Sequence, residues 1–215
     1  MIGRSVQPLG DAALSIELTP TFSMEASVQA AALAAAIRQA PPPGLRDVLV
    51  CGAGVTIHFD PLLTDAAQVM QGIEAISAEV EPQPPDAPAI VIPVRYGGED
   101  GPDLEDVARR CGMSPVEVVA RHSAVTYRVI MMGFVPGFGY LWPLDERLRL
   151  PRRPSPRTHV PAGSVAIAGP QTAVYPSATP GGWHLIGRTD LHLVDFTREE
   201  PFLLETGRLV RFVPQ

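Results

Sequence analysis

Lysine is missing from this chain: all 17 basic residues among its 215 are arginine. The absence excludes a biotinyl-lysine, a phosphate-loop lysine and a Schiff-base lysine from the chemistry the chain supplies itself. Any fixed cation must then be a guanidinium, planar and suited to gripping carboxylate or phosphate through two parallel hydrogen bonds. Cysteine is nearly missing as well. Cys51 and Cys111 are too few and too far apart for a disulfide framework, and they read as reduced thiols of a cytoplasmic protein. Long apolar runs are lacking too. The alanine-rich run Ala26–Ile37 is interrupted by Gln29 and too short to cross a bilayer, and Met1–Gly10 has no apolar core of a secretory signal. Basic surplus is the last absence: the net charge is −6, which argues against a general nucleic-acid binder.

What is present suits a soluble globular protein of two domains, with 46% apolar and 19% charged residues. Residues 12–18 alternate as a strand, and residues 23–39 read as a helix capped by Ser23. Asp47–Cys51 and Val55–Phe59 flank Gly52-Ala53-Gly54 as a hairpin, a helix follows over 64–79 with Thr64 as its cap, and Ala89–Tyr96 is a further strand. This βαββαβ order predicts a ferredoxin-like layer of helices on an antiparallel sheet. Glu81–Pro88, with four prolines, reads as a stiff linker. Beyond it come a helix over Asp103–Arg110 ended by Gly112, and another opened by the capping box Ser114-Pro115-Val116-Glu117. Short apolar runs then follow at Tyr127–Met132, Val165–Ala168, His184–Ile186, Leu191–Phe196 and Leu209–Val213, cut by Pro and Gly, which predicts a compact barrel or sandwich.

Three segments could carry chemistry. Gly133–Leu141 fixes its backbone with three glycines and a proline and leaves three aromatic rings to place. It reads either as a tight turn filling the core or as a rigid loop lining a ligand site. Leu148–Val160 carries Arg149, Arg152, Arg153 and Arg157 among prolines. It is either a pre-organised anion surface or a basic loop paired with the acidic run Glu99–Asp103. Pro161–Thr172 and Pro180–Arg188 are strands between glycine turns, without dinucleotide or phosphate-loop spacing. The five histidines form no metal pattern, and His122 stands out as the end of a helix just before the strand leading to the Gly-Phe loop. Asp145 and Glu146 are acid–base candidates by position, or a surface pair with Arg147.

The ordered motifs Tyr96-Gly97-Gly98-Glu99-Asp100-Gly101-Pro102-Asp103-Leu104, His122-Ser123, Gly133-Phe134-x-Pro136-Gly137-Phe138-x-Tyr140-Leu141, Pro151-Arg152-Arg153, Pro156-Arg157, Val160-Pro161-Ala162-Gly163-Ser164-Val165, Gln171-Thr172, Tyr175-Pro176 and Pro180-Gly181-Gly182-Trp183 resemble the carboxyltransferase C/D family. Its members include the B subunit of 5-oxoprolinase, allophanate hydrolase subunit 1 and the kinase-inhibitor protein KipI. The chain departs from the family at Gly139, Trp142 and Ala173.

The resemblance implies an α+β chain, with a ferredoxin-like domain over residues 1–85 and a cyclophilin-like β-barrel domain over 86–215. It implies one component of an ATP-dependent hydrolase that opens the 5-oxoproline lactam to glutamate. Its partners would be a homologous larger carboxyltransferase subunit and a lactam-utilisation subunit, with ATP used by the assembled complex, no biotin on this chain, and no nucleic acid or membrane as partner. A kinase inhibitor, or a carboxyltransferase part of a urea or allophanate pathway, are the alternatives. The expected catalytic residues are His122, Arg152 and Arg157. The expected ligand face is Phe134, Pro136, Gly137, Phe138, Tyr140, Arg153, Pro161, Gly163, Ser164, Gln171, Thr172, Tyr175, Gly181, Gly182 and Trp183, with no metal.

Overall fold

The computed structural model describes residues 5–77 and 88–215, which belong to two compact units, one ending at Asp86 and the other beginning at Ala87. The proline-rich segment expected as a linker lies, up to residue 87, outside the described residues.

The first unit runs β1 (Ser5–Pro8), β2 (Ala13–Glu17), α1 (Met24–Gln39), β3 (Leu45–Cys51), β4 (Gly54–Phe59) and α2 (Ala66–Ser77). The strands lie in the order β1-β2-β4-β3 with antiparallel pairing throughout. The α1 helix starts where Ser23 Oγ accepts the Ala26 N–H at 3.1 Å, satisfying a donor left over in the first turn. Ala30, Leu33, Ala34 and Ile37 then recur on one face and bury against Ile16, Val48, Val55 and Ile57 of the sheet. The cap of α2 is Asp65 rather than Thr64. The Asp65 carboxylate accepts the Gln68 N–H at 2.8 Å, and a carboxylate suits the positive end of a helix better than a hydroxyl.

The ferredoxin-like layer forms with one change of strand. Ile90–Tyr96, expected as its last strand, pairs in the second unit, where Ile92 and Val94 are fully buried. The place beside β2 goes instead to β1, whose short exposed run Ser-Val-Gln-Pro shows no apolar alternation and suits a sheet edge.

The second unit contains β5 (Ile90–Tyr96), α3 (Leu104–Cys111), α4 (Pro115–Ser123), β6 (Thr126–Met132), β7 (Gly139–Trp142), β8 (Arg157–Val160), β9 (Ser164–Ala168), β10 (Gln171–Val174), β11 (Thr179–Gly181), β12 (His184–Arg188) and β13 (Leu209–Pro214). Seven strands close a barrel in the order β6-β13-β5-β12-β9-β10-β7, with β7 pairing back onto β6. The β13–β5 pair is parallel, and β8 with β11 forms a separate two-stranded arm. The expected capping box at Ser114 and Glu117 is present in α4, and Gly112 ends α3 at a φ of 67°.

Leu191–Phe196 is not a strand. It makes an isolated bridge from Val194 to Phe202 and turns where the Asp195 carboxylate accepts the Thr197 N–H.

Alternation along β9 and β10 divides two cores. Val165, Ile167 and Val174 point into the barrel with Ile92, Tyr127, Val129, Leu141 and Phe212. Ala166, Ala168, Ala173 and Tyr175 face the other way, against Phe138, Trp183 and Leu185. The candidate site grows from this outer face.

Candidate functional site

Small residues make the floor. Ala166, Ala168 and Ala173 leave room above the outer face, and a wall of rings fills it. Phe138 is the hub, edge-on to Phe134 at 5.4 Å, Tyr140 at 4.9 Å, Tyr175 at 5.3 Å and Trp183 at 5.9 Å. Edge-to-face packing sets the positive rim of one ring against the negative face of another and fixes each ring's angle. Phe138 is 2% exposed, whereas Phe134 is 59% exposed. The wall therefore ends in an open aromatic face.

The backbone explains that placement. Val135, Pro136, Gly137 and Phe138 form a turn in which the Phe138 N–H donates to Val135 O at 3.0 Å, with proline second and Gly137 third at a φ of 80°. A φ of that sign is what the third position of a type II turn demands and what glycine supplies without strain. Just before it, the Val135 N–H donates to Gly133 O, which puts Phe134 at the centre of a three-residue turn at a φ of 71°. A bulky residue held in the left-handed region is strained, and such strain persists where the surroundings over-determine it.

Beside the rings lies a charge cluster. Arg157 meets Asp103 through two parallel hydrogen bonds of 2.8 Å, and Arg153 Nη1 donates to the same carboxylate at 2.8 Å. Burial alone would raise the Asp103 carboxyl, but hydrogen bonds from Arg157 and the Leu185 N–H, with both guanidinium charges, hold it below the usual carboxylate range. The charges of Arg152 and Arg157 act on the Tyr175 phenol, whose oxygen accepts the backbone N–H of Trp183. Burial still pushes that phenol up, so it stays protonated at neutral pH. The arm supports the cluster: Gly181 pairs with Arg157, and the Arg153 N–H donates to Gly182 O at 2.8 Å.

The structure thus brings together Phe134, Phe138, Tyr140, Tyr175, Gly181, Gly182, Trp183, Arg152, Arg153 and Arg157. Pro136 and Gly137 set the turn beneath Phe134. Gln171 shares the face of Ala173 and Tyr175 by strand alternation. Pro161, Gly163 and Ser164 form a turn that ties Tyr175 down, with the Gly163 N–H donating to Tyr175 O at 2.7 Å and the Tyr175 N–H to Ser164 O at 2.9 Å.

His122 and Thr172 sit apart from this group, inside the barrel, and neither has exposed surface. The Thr172 hydroxyl donates to Ala166 O, so its oxygen accepts from His122 Nε2 at 2.9 Å. That leaves Nδ1 as the acceptor of the Tyr96 hydroxyl at 2.7 Å. Desolvation lowers the His122 pKa to about 3, so the ring stays neutral. Its geometry suits holding the barrel together rather than moving a proton at the ring wall. Asp145 and Glu146 form ion pairs with Arg121 at 2.9 Å and Arg149 at 3.2 Å, while Arg147 meets Asp145 only through its backbone N–H. Arg121 and Asp145 line an open groove of about 350 Å³ with Glu117 and Ala120 of α4 and with Ala124 and Val125 just past its end, and its lining includes none of the ring wall.

No cluster of His, Cys, Asp or Glu among the described residues could hold a metal ion, and no described helix is long and apolar enough to cross a membrane.

Residues 4–204 match the family model for the carboxyltransferase domain, subdomain C and D. The chain belongs to this family. Among its relatives is a protein of Escherichia coli O157:H7 named as the B subunit of 5-oxoprolinase, 45% identical, with 96% of this chain and 94% of that protein covered. A Bacillus subtilis protein of the same name is 39% identical over 97% of this chain and 91% of its own length. The crystal structure of TTHA0988 superposes with a TM-score of 0.86 at 38% identity over 95% of this chain. The chain spans 40% of the length of that solved protein. In this carboxyltransferase-type fold, the residue that reading by motif passed over as a site member is Asp103. Its position ahead of a helix looks like an ordinary cap. The one available signal was the run of arginines in need of a counter-charge.

Proposed function

We propose that the chain is the B subunit of an ATP-dependent 5-oxoprolinase, working with a homologous larger carboxyltransferase subunit and a lactam-utilisation subunit to open 5-oxoproline to glutamate. The observation that supports this most directly is its match, over nearly the whole of both chains, to relatives of that name. The ring wall and arginine cluster suit a small, flat, anionic lactam: the rings cover its ring face, and guanidinium groups meet its charge.

The arginine cluster fits one anionic group better than a triphosphate, for the chain has neither lysine nor a phosphate loop. ATP supplies the driving force in the assembled complex by activating the lactam oxygen. Within this chain, Arg152, Arg153 and Arg157 hold negative charge on the ligand. In this reading, loop N–H groups of Gly133–Tyr140 not already bonded within the turn stabilise an oxyanion, and the packed rings limit the access of water to the reacting carbonyl.

Co-expression with the two partner proteins tests the reading, with 5-oxoproline-dependent ATP hydrolysis and glutamate formation as readouts. Turnover in the complex, and its loss in Arg152→Ala and Arg157→Ala, is the expected result. Turnover untouched by both substitutions would remove the arginines from the site. A complex that ignores 5-oxoproline would sink the function itself.

A further inference from the structure

Asp103 heads α3 without capping it, for no hydrogen bond runs from its carboxylate to the first turn of that helix. Its oxygens serve other donors. Oδ1 accepts from Arg153 Nη1 and Arg157 Nη2, each at 2.8 Å, while Oδ2 accepts from Arg157 Nη1 at 2.8 Å and the Leu185 N–H at 2.7 Å. The Asp103 N–H returns a bond to Leu185 O at 2.9 Å, so the residue is fixed to β12 as a strand partner would be.

Two guanidinium charges here meet one carboxylate charge. The three side chains are 32%, 25% and 6% exposed for Arg153, Arg157 and Asp103. Asp103 cancels one of the two partly shielded guanidinium charges, and the one left over matches one carboxylate. Arg153 also keeps a donor in reserve, since its Nε–H is buried and without a hydrogen-bond partner among the described residues. Gly181, the strand partner of Arg157, lies against the Tyr175 hydroxyl and so joins this cluster to the ring wall.

We propose that Asp103 is a positioning residue that builds Arg153 and Arg157 into a receptor for a single carboxylate, that of the small lactam acid. The proposal rests on the oxoprolinase reading above. Asp103 itself does not touch the ligand. It holds the two guanidiniums in fixed register, so that little side-chain freedom is lost when the carboxylate arrives.

The test uses the assembled complex and measures KM for 5-oxoproline and for ATP separately. Asp103→Asn is expected to raise KM for 5-oxoproline roughly tenfold or more, the usual scale for loosening a charge-assisted contact, and to leave KM for ATP within about twofold. Arg157→Lys keeps the charge but loses the paired hydrogen bonds, and the same split is expected from it. An Asp103 that merely supported the fold would lower kcat through a smaller active fraction and leave both KM values alone, and that result overturns the proposal. So does a rise in KM for ATP instead of 5-oxoproline. If Asp103→Asn fails to assemble, Arg157→Lys decides by the same criterion. A wild-type complex without 5-oxoproline-dependent turnover defeats the functional reading and this receptor with it. An active wild type with unmoved KM values in the variants defeats the receptor alone.

Discussion

His122 Nε2 stands 2.9 Å from Thr172 Oγ1 inside the barrel, in a chain of hydrogen bonds that burial keeps on a neutral imidazole. The unfolded chain protonates this histidine near 6.5, whereas the folded protein resists until about 3. Between those values the unfolded state binds more protons, so stability rises with pH and is lost as pH falls. From pH 6.5 to 4.5 the loss amounts to roughly 2–3 kcal/mol, at about 1.4 kcal/mol per pH unit. Urea midpoints measured across that window should fall for the wild type. His122→Phe, which fits an aromatic beside Phe212 at 4.6 Å, should be less stable at pH 7.5 yet nearly flat with pH. Parallel slopes for the two proteins would show that His122 is not the group that titrates.

A backbone oxygen constrains Gly163. A β-carbon there would fall on Thr189 O, and the residue sits at a φ of 80°. Neither conflict can be relieved by turning a side chain, so Gly163→Ala should lose roughly 2–4 kcal/mol in thermal or urea unfolding. The Tyr175 backbone is tied to the same turn, and turnover of the complex should fall with stability. A loss below about 0.5 kcal/mol, the range of ordinary surface changes, would mean that the turn is softer than its geometry implies.

Much of the fold was legible because it is written locally. Ser114, Pro115 and Glu117 spell a capping box, and the structure contains both of its reciprocal bonds. Gly52 and Ala53 connect β3 to β4 as the hairpin reading required. What escaped was decided at long range. The edge place beside β2 fell to Ser5–Pro8, a run without pattern, because Ile90–Tyr96 buries more in the barrel. The site divides the same way. The aromatic loop was visible as a density of glycine and ring residues, and its core-filling reading holds for Phe138, while Phe134 stays open. Pairing of the arginines with the acidic run was one of two readings, and Asp103 realises it for Arg153 and Arg157. That Thr172 faces inward while Tyr175, three residues on, faces outward depends on which side of the sheet meets the barrel axis, which no local motif states.

Phe134 sets strain against contact. Its φ of 71° costs about 1–2 kcal/mol for an ordinary side chain, a little less for asparagine. Its ring contacts with Phe138 and Tyr175 return a comparable amount at most, because the ring is 59% exposed. Phe134→Asn should therefore leave stability within about 1 kcal/mol of wild type. Turnover of the assembled complex should nevertheless drop several-fold, since the open end of the ring wall is gone. Stability falling by much more, or turnover unchanged, would count against the exposed ring as part of the working face.

Two neighbouring glycines give the sharpest contrast. A β-carbon on Gly181 would land on the hydroxyl and ring of Tyr175, a residue 2% exposed and already holding the Trp183 N–H. A β-carbon on Gly182 would meet Pro156 Cβ at 3.6 Å, an ordinary contact. Neither glycine has a positive φ, so conformational strain is not the difference. Gly181→Ala must push the phenol away from Arg152 and Arg157 and should lose about 1–3 kcal/mol through overpacking. Gly182→Ala should stay within about 0.5 kcal/mol, as a substitution into available space. Thermal unfolding of the two variants separates them, and turnover should fall further in Gly181→Ala than its lost stability explains. Equal losses in both would mean that Tyr175 yields freely, and with it the rigid wall on which the carboxylate receptor leans.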